Sequence, residues 1–157
     1  MIALILGFGF WWMYFDLVGG RLPRTEGPAI GAWVLGHLPF ALSIAAGGAG
    51  TVSLIEHAHD AKTPEASAWL LAGAVALGLL ALIPLENALV DAKRLPAVYR
   101  PLGVALVAGA GTALLVGWLR PAPWVFALLL GAILSTLWLY AVSLFLRADA
   151  WGESARG

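Results

Sequence analysis

The sequence predicts an all-α fold: a polytopic transmembrane helical bundle of about five spans. Two observations carry that prediction. Of 157 residues, 61% are hydrophobic and only 11% are charged. A soluble domain is nearer 45–50% apolar and about 25% charged, and no soluble core of this size hides so much apolar surface. The apolar residues also come in long blocks, and a hydrocarbon core of about 30 Å takes roughly 20 apolar residues per helix. Strands would show alternation, which these blocks lack, and helices satisfy their own backbone groups in lipid.

The whole chain, 1–157, reads as one membrane domain. The first span covers 2–18 and ends in Trp11-Trp12-Met13-Tyr14-Phe15-Asp16. No basic residue precedes its apolar run, so it is expected to be a retained helix, not a cleaved signal, in a chain that is either whole or part of something longer. Gly19, Gly20 and Pro23 break it. The second span covers 29–55, long enough to tilt. The third covers 67–90. The fourth covers 101–119, with Pro101 expected in its first turn, where a missing N–H is harmless. The fifth covers 124–146.

Five spans place the termini on opposite sides of the bilayer. One side then holds Arg21, Arg24, Lys93, Arg94, Arg100, Arg147 and Arg156, and the other only Lys62 and Arg120. The positive-inside rule puts the first set in the cytoplasm, so the N-terminus is expected outside and the C-terminus inside. Trp69, Trp118 and Trp124 then fall at the outer interface, and Trp11 and Trp12 toward the inner one. Trp138 and Tyr140 lie deeper and are expected to pack.

Small residues mark close helix approach. Ala41, Ala45 and Ala49 repeat every four residues on one face of the second span, and Gly103, Gly109 and Gly111 lie in the fourth. These are expected to pack tightly within the bundle or between subunits, or else to line a substrate path.

Ionisable groups in the hydrocarbon cost roughly 2.5–3.5 kcal/mol near its centre. Asp16, His37 and Glu86, with Asn87 beside the last, form the candidate intramembrane polar site. The topology puts all of them in the inner half: His37 about 13 Å deep and Glu86 about 6 Å deep at 1.5 Å per residue. Pro39 and Pro84 are the candidate helix-kink residues. Each frees a carbonyl one turn earlier, near Leu35 and Leu80, which either adds ligands to the site or only shapes the helix. His37 reads as a neutral interhelical hydrogen-bonding group, a proton relay or, least simply, a metal ligand. Asp16 is expected to pair with Arg21, Arg24 or Arg94. Glu86 is either a buried clamp or a functional carboxylate.

Other chemistry finds little support. There is no cysteine, which excludes disulfides and thiolate catalysis. Nine basic residues balance nine acidic ones, which disfavours a nucleic-acid partner. In the outer loop, Glu56-His57-Ala58-His59-Asp60 is expected to be a solvated helix end. Its alternative, a zinc site, would need an extended segment to align the two histidines. No phosphate loop, nucleophile elbow or metalloprotease spacing occurs. We expect no enzyme activity, no cofactor and no metal.

One resemblance adds to this reading. The run Trp11-Trp12-Met13-Tyr14-Phe15-Asp16 resembles the WWxYFD signature of the bacterial low temperature requirement A membrane proteins. Gly36-His37-Leu38-Pro39, followed by Ala45-Ala46-Gly47, resembles their next, histidine-containing helix. The resemblance covers nearly all of this chain and the C-terminal half of such proteins. It implies a multi-pass protein of the bacterial inner membrane and draws attention to Asp16 and His37. The expectation is a bundle that moves a small solute or proton, as a homo-oligomer or with a second membrane subunit. The alternative is a non-catalytic scaffold, or half of a split larger protein.

Overall fold

A computed structural model describes residues 8, 9 and 11–154, with side chains as far as residue 148. Much of the first predicted span, 2–7 and 10, and Arg156 lie outside the described residues. The described part of that span, α1, is α-helical over 11–14 and π-helical over Phe15–Gly19. The helices that follow are α2 (Pro28–Glu56), α3 (Glu65–Asn87), the short α4 (Val90–Arg94), α5 (Pro96–Leu119) and α6 (Pro123–Ser154). Among the described residues, four helices are long and apolar enough to cross a membrane: α2, α3, α5 and α6.

Three boundaries differ from the sequence reading by three residues or more, among them the end of α6, at Ser154 and not 146. The third span stops at Asn87, not 90, and the fourth begins at Pro96, not 101. Pro96 therefore occupies the first turn of α5, and Pro101 lies one turn further in. The reason is α4, a polar single turn whose Asp91, Lys93 and Arg94 do not belong in hydrocarbon. Pro39 and Pro84 both sit inside otherwise continuous helices, as the sequence places them.

α3 forms the centre. It packs on α2 along one side and on α5 along the other, and α5 carries α6. α1 lies against α2, α3 and α6 through Tyr14, Met13, Leu17, Val18 and Gly9. Met13, Leu17 and Val18 are buried in the same hydrophobic core as Leu82 and Leu85 of α3. The extended segment after α1 pairs with the one after α3: Arg24 N–H donates to Ala88 O and Val90 N–H to Leu22 O.

Close approach uses different small residues from those expected. Ala41, Ala45 and Ala49 are exposed, so that face makes no close packing among the described residues. The face of α2 turned to α3 carries Gly36, Phe40, Ser43 and Gly50, spaced by four, three and seven. In α5, a Cβ on Gly109 would sit 2.6 Å from Leu137 Cδ1, and one on Gly117 2.7 Å from Ala72 Cβ. Gly103 and Gly111 face open space.

The basic residues gather by end. Arg21, Arg24, Lys93, Arg94, Arg100 and Arg147 lie where α1, α3 and α6 finish and α2 and α5 begin. Lys62 and Arg120 lie at the opposite end. There Arg120, in the left-handed region at φ 50, donates to Thr63 O and to Glu65 Oε2, and Thr63 Oγ1 donates to Pro121 O. Trp69, Trp118 and Trp124 are exposed near that same end, as an interfacial belt requires.

Candidate functional site

The polar candidates all lie toward the end where Arg21 and Arg24 stand, but they do not converge. His37 and Asp16 take different partners, and no hydrogen bond joins Asp16, His37 and Glu86 to one another.

His37 is held on both ring nitrogens. Nδ1 donates to Trp33 O at 2.6 Å, because a carbonyl only accepts. That leaves Nε2 as the acceptor of the Tyr14 hydroxyl, at 2.9 Å. Trp33 packs edge-on against it, and Tyr14 stacks on Phe40 one turn along α2. The bond to Tyr14 joins His37 of α2 to α1.

Asp16 departs from expectation. Its carboxylate pairs with none of Arg21, Arg24 or Arg94: Oδ2 accepts the Trp138 indole N–H at 2.8 Å, and only the backbone oxygen of Asp16 accepts from Arg21 Nε, at 3.4 Å. The cause is helical phase. Tyr14 and Asp16 are two residues apart, about 200° around a helix, so one reaches α2 and the other α6. The arginines have other uses. Arg21 pairs with Asp91 at 3.1 Å and lies 4.2 Å over the Phe145 ring. Arg24 donates to the backbone oxygen of Asn87 at 2.6 Å. The Asn87 side chain is exposed, so its contribution is that backbone carbonyl. Trp138 packs as expected, edge-on to Trp12. Tyr140 does not; it remains 39% exposed.

Glu86 is the exception among the candidates. It is 2% exposed, and its Oε1 has no hydrogen-bond partner. The hydroxyl of Tyr99, 6% exposed, has none either. The charges of Arg21, Asp91 and Glu86 all act on that hydroxyl, and the Arg21 guanidinium faces it as a weak donor. Buried polar atoms in native proteins are almost always paired, and one that is not calls for a bound partner or a functional role.

In the opposite loop, His57 donates from Nδ1 to Ser53 O, while His59 and Asp60 are exposed. Among the described residues, no three metal-ligating side chains stand together.

Sequence reasoning missed Tyr14, Trp138, Tyr99 and the Arg21–Asp91 pair. Tyr14 was open to discovery, since it shares the aromatic run with Asp16. Trp138 and Tyr99 were not, because Asp16 lies 122 residues from Trp138 and the charged groups acting on Tyr99 come from other elements of the fold.

An all-helical chain with four membrane-length apolar helices, an interfacial tryptophan belt and side-chain clamps between helices is a polytopic integral membrane protein. Its residues 1–144 match the family model described as bacterial low temperature requirement A protein, and the chain belongs to that family. The match includes the aromatic run, Asp16, His37 and Glu86. No curated protein and no solved structure matches the chain.

Proposed function

We propose that this chain moves a proton or a small solute across a bacterial inner membrane, with Glu86 as the group that binds it. The observation that carries the reading is the Glu86 carboxyl, buried near the end of α3 with an oxygen left without a partner. A buried polar group in hydrocarbon is retained at a cost of several kcal/mol, which selection tolerates for function. His37 and Asp16 hold the helices around it. The chain crosses five times in this reading, with its N-terminus outside and the basic loops in the cytoplasm. Five helices make a thin wall, so it works as an oligomer or with a second subunit. It has no catalytic role.

The test is proton and ion flux in proteoliposomes. Glu86→Gln should abolish flux while preserving the fold, because the amide has nearly the same shape. Flux equal to the parent in Glu86→Gln would remove the proposal.

A scaffold reading has one specific support: Tyr14–His37 and Asp16–Trp138 each tie two helices together. It predicts that His37→Ala and Asp16→Ala lower stability in detergent, and that the parent protein carries no flux at all.

A further inference from the structure

Two recesses meet along α1. The first is an apolar groove between α1 and α6, lined by Phe8, Gly9, Trp12, Leu134 and Trp138. It opens sideways, and Phe8 and Trp12 are about half exposed along its edge. The second is a hollow at the helix ends, lined by Asp16, Arg21, Asp91 and Arg94 among others. They adjoin at the Trp138–Asp16 hydrogen bond, since Trp138 lines the groove and Asp16 the hollow. The result is one trough that is greasy toward the bilayer midplane and charged at the interface.

The charges in the hollow are two carboxylates and two guanidiniums. Arg21 and Asp91 satisfy each other. Asp16 Oδ1 and the Arg94 guanidinium have no hydrogen-bond or ion-pair partner among the described residues. A free carboxylate oxygen and a free guanidinium in one hollow complement a ligand that carries an ammonium and a phosphate together.

We propose that the trough binds one phospholipid of the inner leaflet whose zwitterionic headgroup carries a primary ammonium. Its ammonium donates to Asp16 Oδ1, its phosphate meets Arg94, and an acyl chain lies in the groove against Trp12 and Leu134. An anionic lipid would leave Asp16 facing no cation. A water-soluble zwitterion would leave the groove unfilled. Asp16 thus has a second function beyond the clamp to Trp138, and this function does not depend on transport through Glu86.

Native mass spectrometry of the full chain in detergent tests this, titrating phosphatidylethanolamine, phosphatidylcholine and phosphatidylglycerol with identical acyl chains. One phosphatidylethanolamine should be retained per chain. Asp16→Asn should reduce that retention roughly tenfold, in line with the loss of a charged hydrogen bond. Its thermal stability should stay near the parent's, because the Asn carbonyl still accepts the indole N–H. Arg94→Gln, an exposed change that leaves the fold alone, should lower retention similarly. Retention in Arg94→Gln and Asp16→Asn equal to the parent overturns the proposal. So does phosphatidylglycerol or phosphatidylcholine held as tightly as phosphatidylethanolamine, or free phosphoethanolamine binding as well as the lipid.

Discussion

The Tyr14 hydroxyl donates to Nε2 of His37 at 2.9 Å, while the opposite ring nitrogen donates to Trp33 O. The Trp33 carbonyl makes Nδ1 a donor, and the Tyr14 bond ties α1 to α2. Tyr14→Phe removes the donor and leaves Nε2 without a partner. The expected loss is about 1–3 kcal/mol of stability in detergent, the usual effect of stranding a part-buried acceptor. A double-mutant cycle of Tyr14→Phe with His37→Ala should show a coupling of about 0.5–3 kcal/mol. Additive losses would mean that the two side chains do not interact.

The glycines should separate into two classes. Gly117→Ala places a Cβ 2.7 Å from Ala72 Cβ, which has no rotamer to change, so α3 and α5 must part. Overpacking of this kind costs roughly 1–3 kcal/mol. Gly109→Ala should cost less, because its nearest atom is the flexible end of Leu137. Gly111→Ala meets nothing and should be neutral or mildly stabilising. Thermal melting of the three variants, read by tryptophan fluorescence, gives the order.

The chain contains no cysteine, so single cysteines report topology directly. In intact cells a membrane-impermeant thiol reagent should label Lys62→Cys and leave Lys93→Cys unlabelled. The reverse pattern would invert the orientation, and labelling of both would contradict the placement of the two loops at opposite ends.

Arg21 is expected to contribute modestly to stability. Its pair with Asp91 is partly exposed, and such pairs contribute about 0–1 kcal/mol, to which the contact with Phe145 adds about 0.5–1 kcal/mol. Arg21→Ala should therefore keep the fold. If Glu86 works as proposed, the same variant should change flux clearly, because Arg21 is the cation that acts on the Glu86 carboxyl. Unaltered flux would show that Arg21 has no part in it.

Much of the architecture was legible from hydropathy alone. The helices at 29–55 and 124–146 fall where the apolar blocks lie, and the segregation of arginines to one end follows from chain order. The boundaries at Asn87 and Pro96 moved because a single polar turn between them was too short to carry a periodic signal.

Local order along the chain thus determined the helical class, the membrane setting and the family, since length, hydropathy and the aromatic–aspartate run are properties of consecutive residues. Only the tertiary structure decided the partners. Asp16 goes to Trp138 and not to an arginine, His37 goes to Tyr14, Glu86 is left alone, and Ala41, Ala45 and Ala49 face outward. The physical reason is that a side chain's direction depends on helix phase and on which helix lies alongside. Both are set by the packing of the whole bundle.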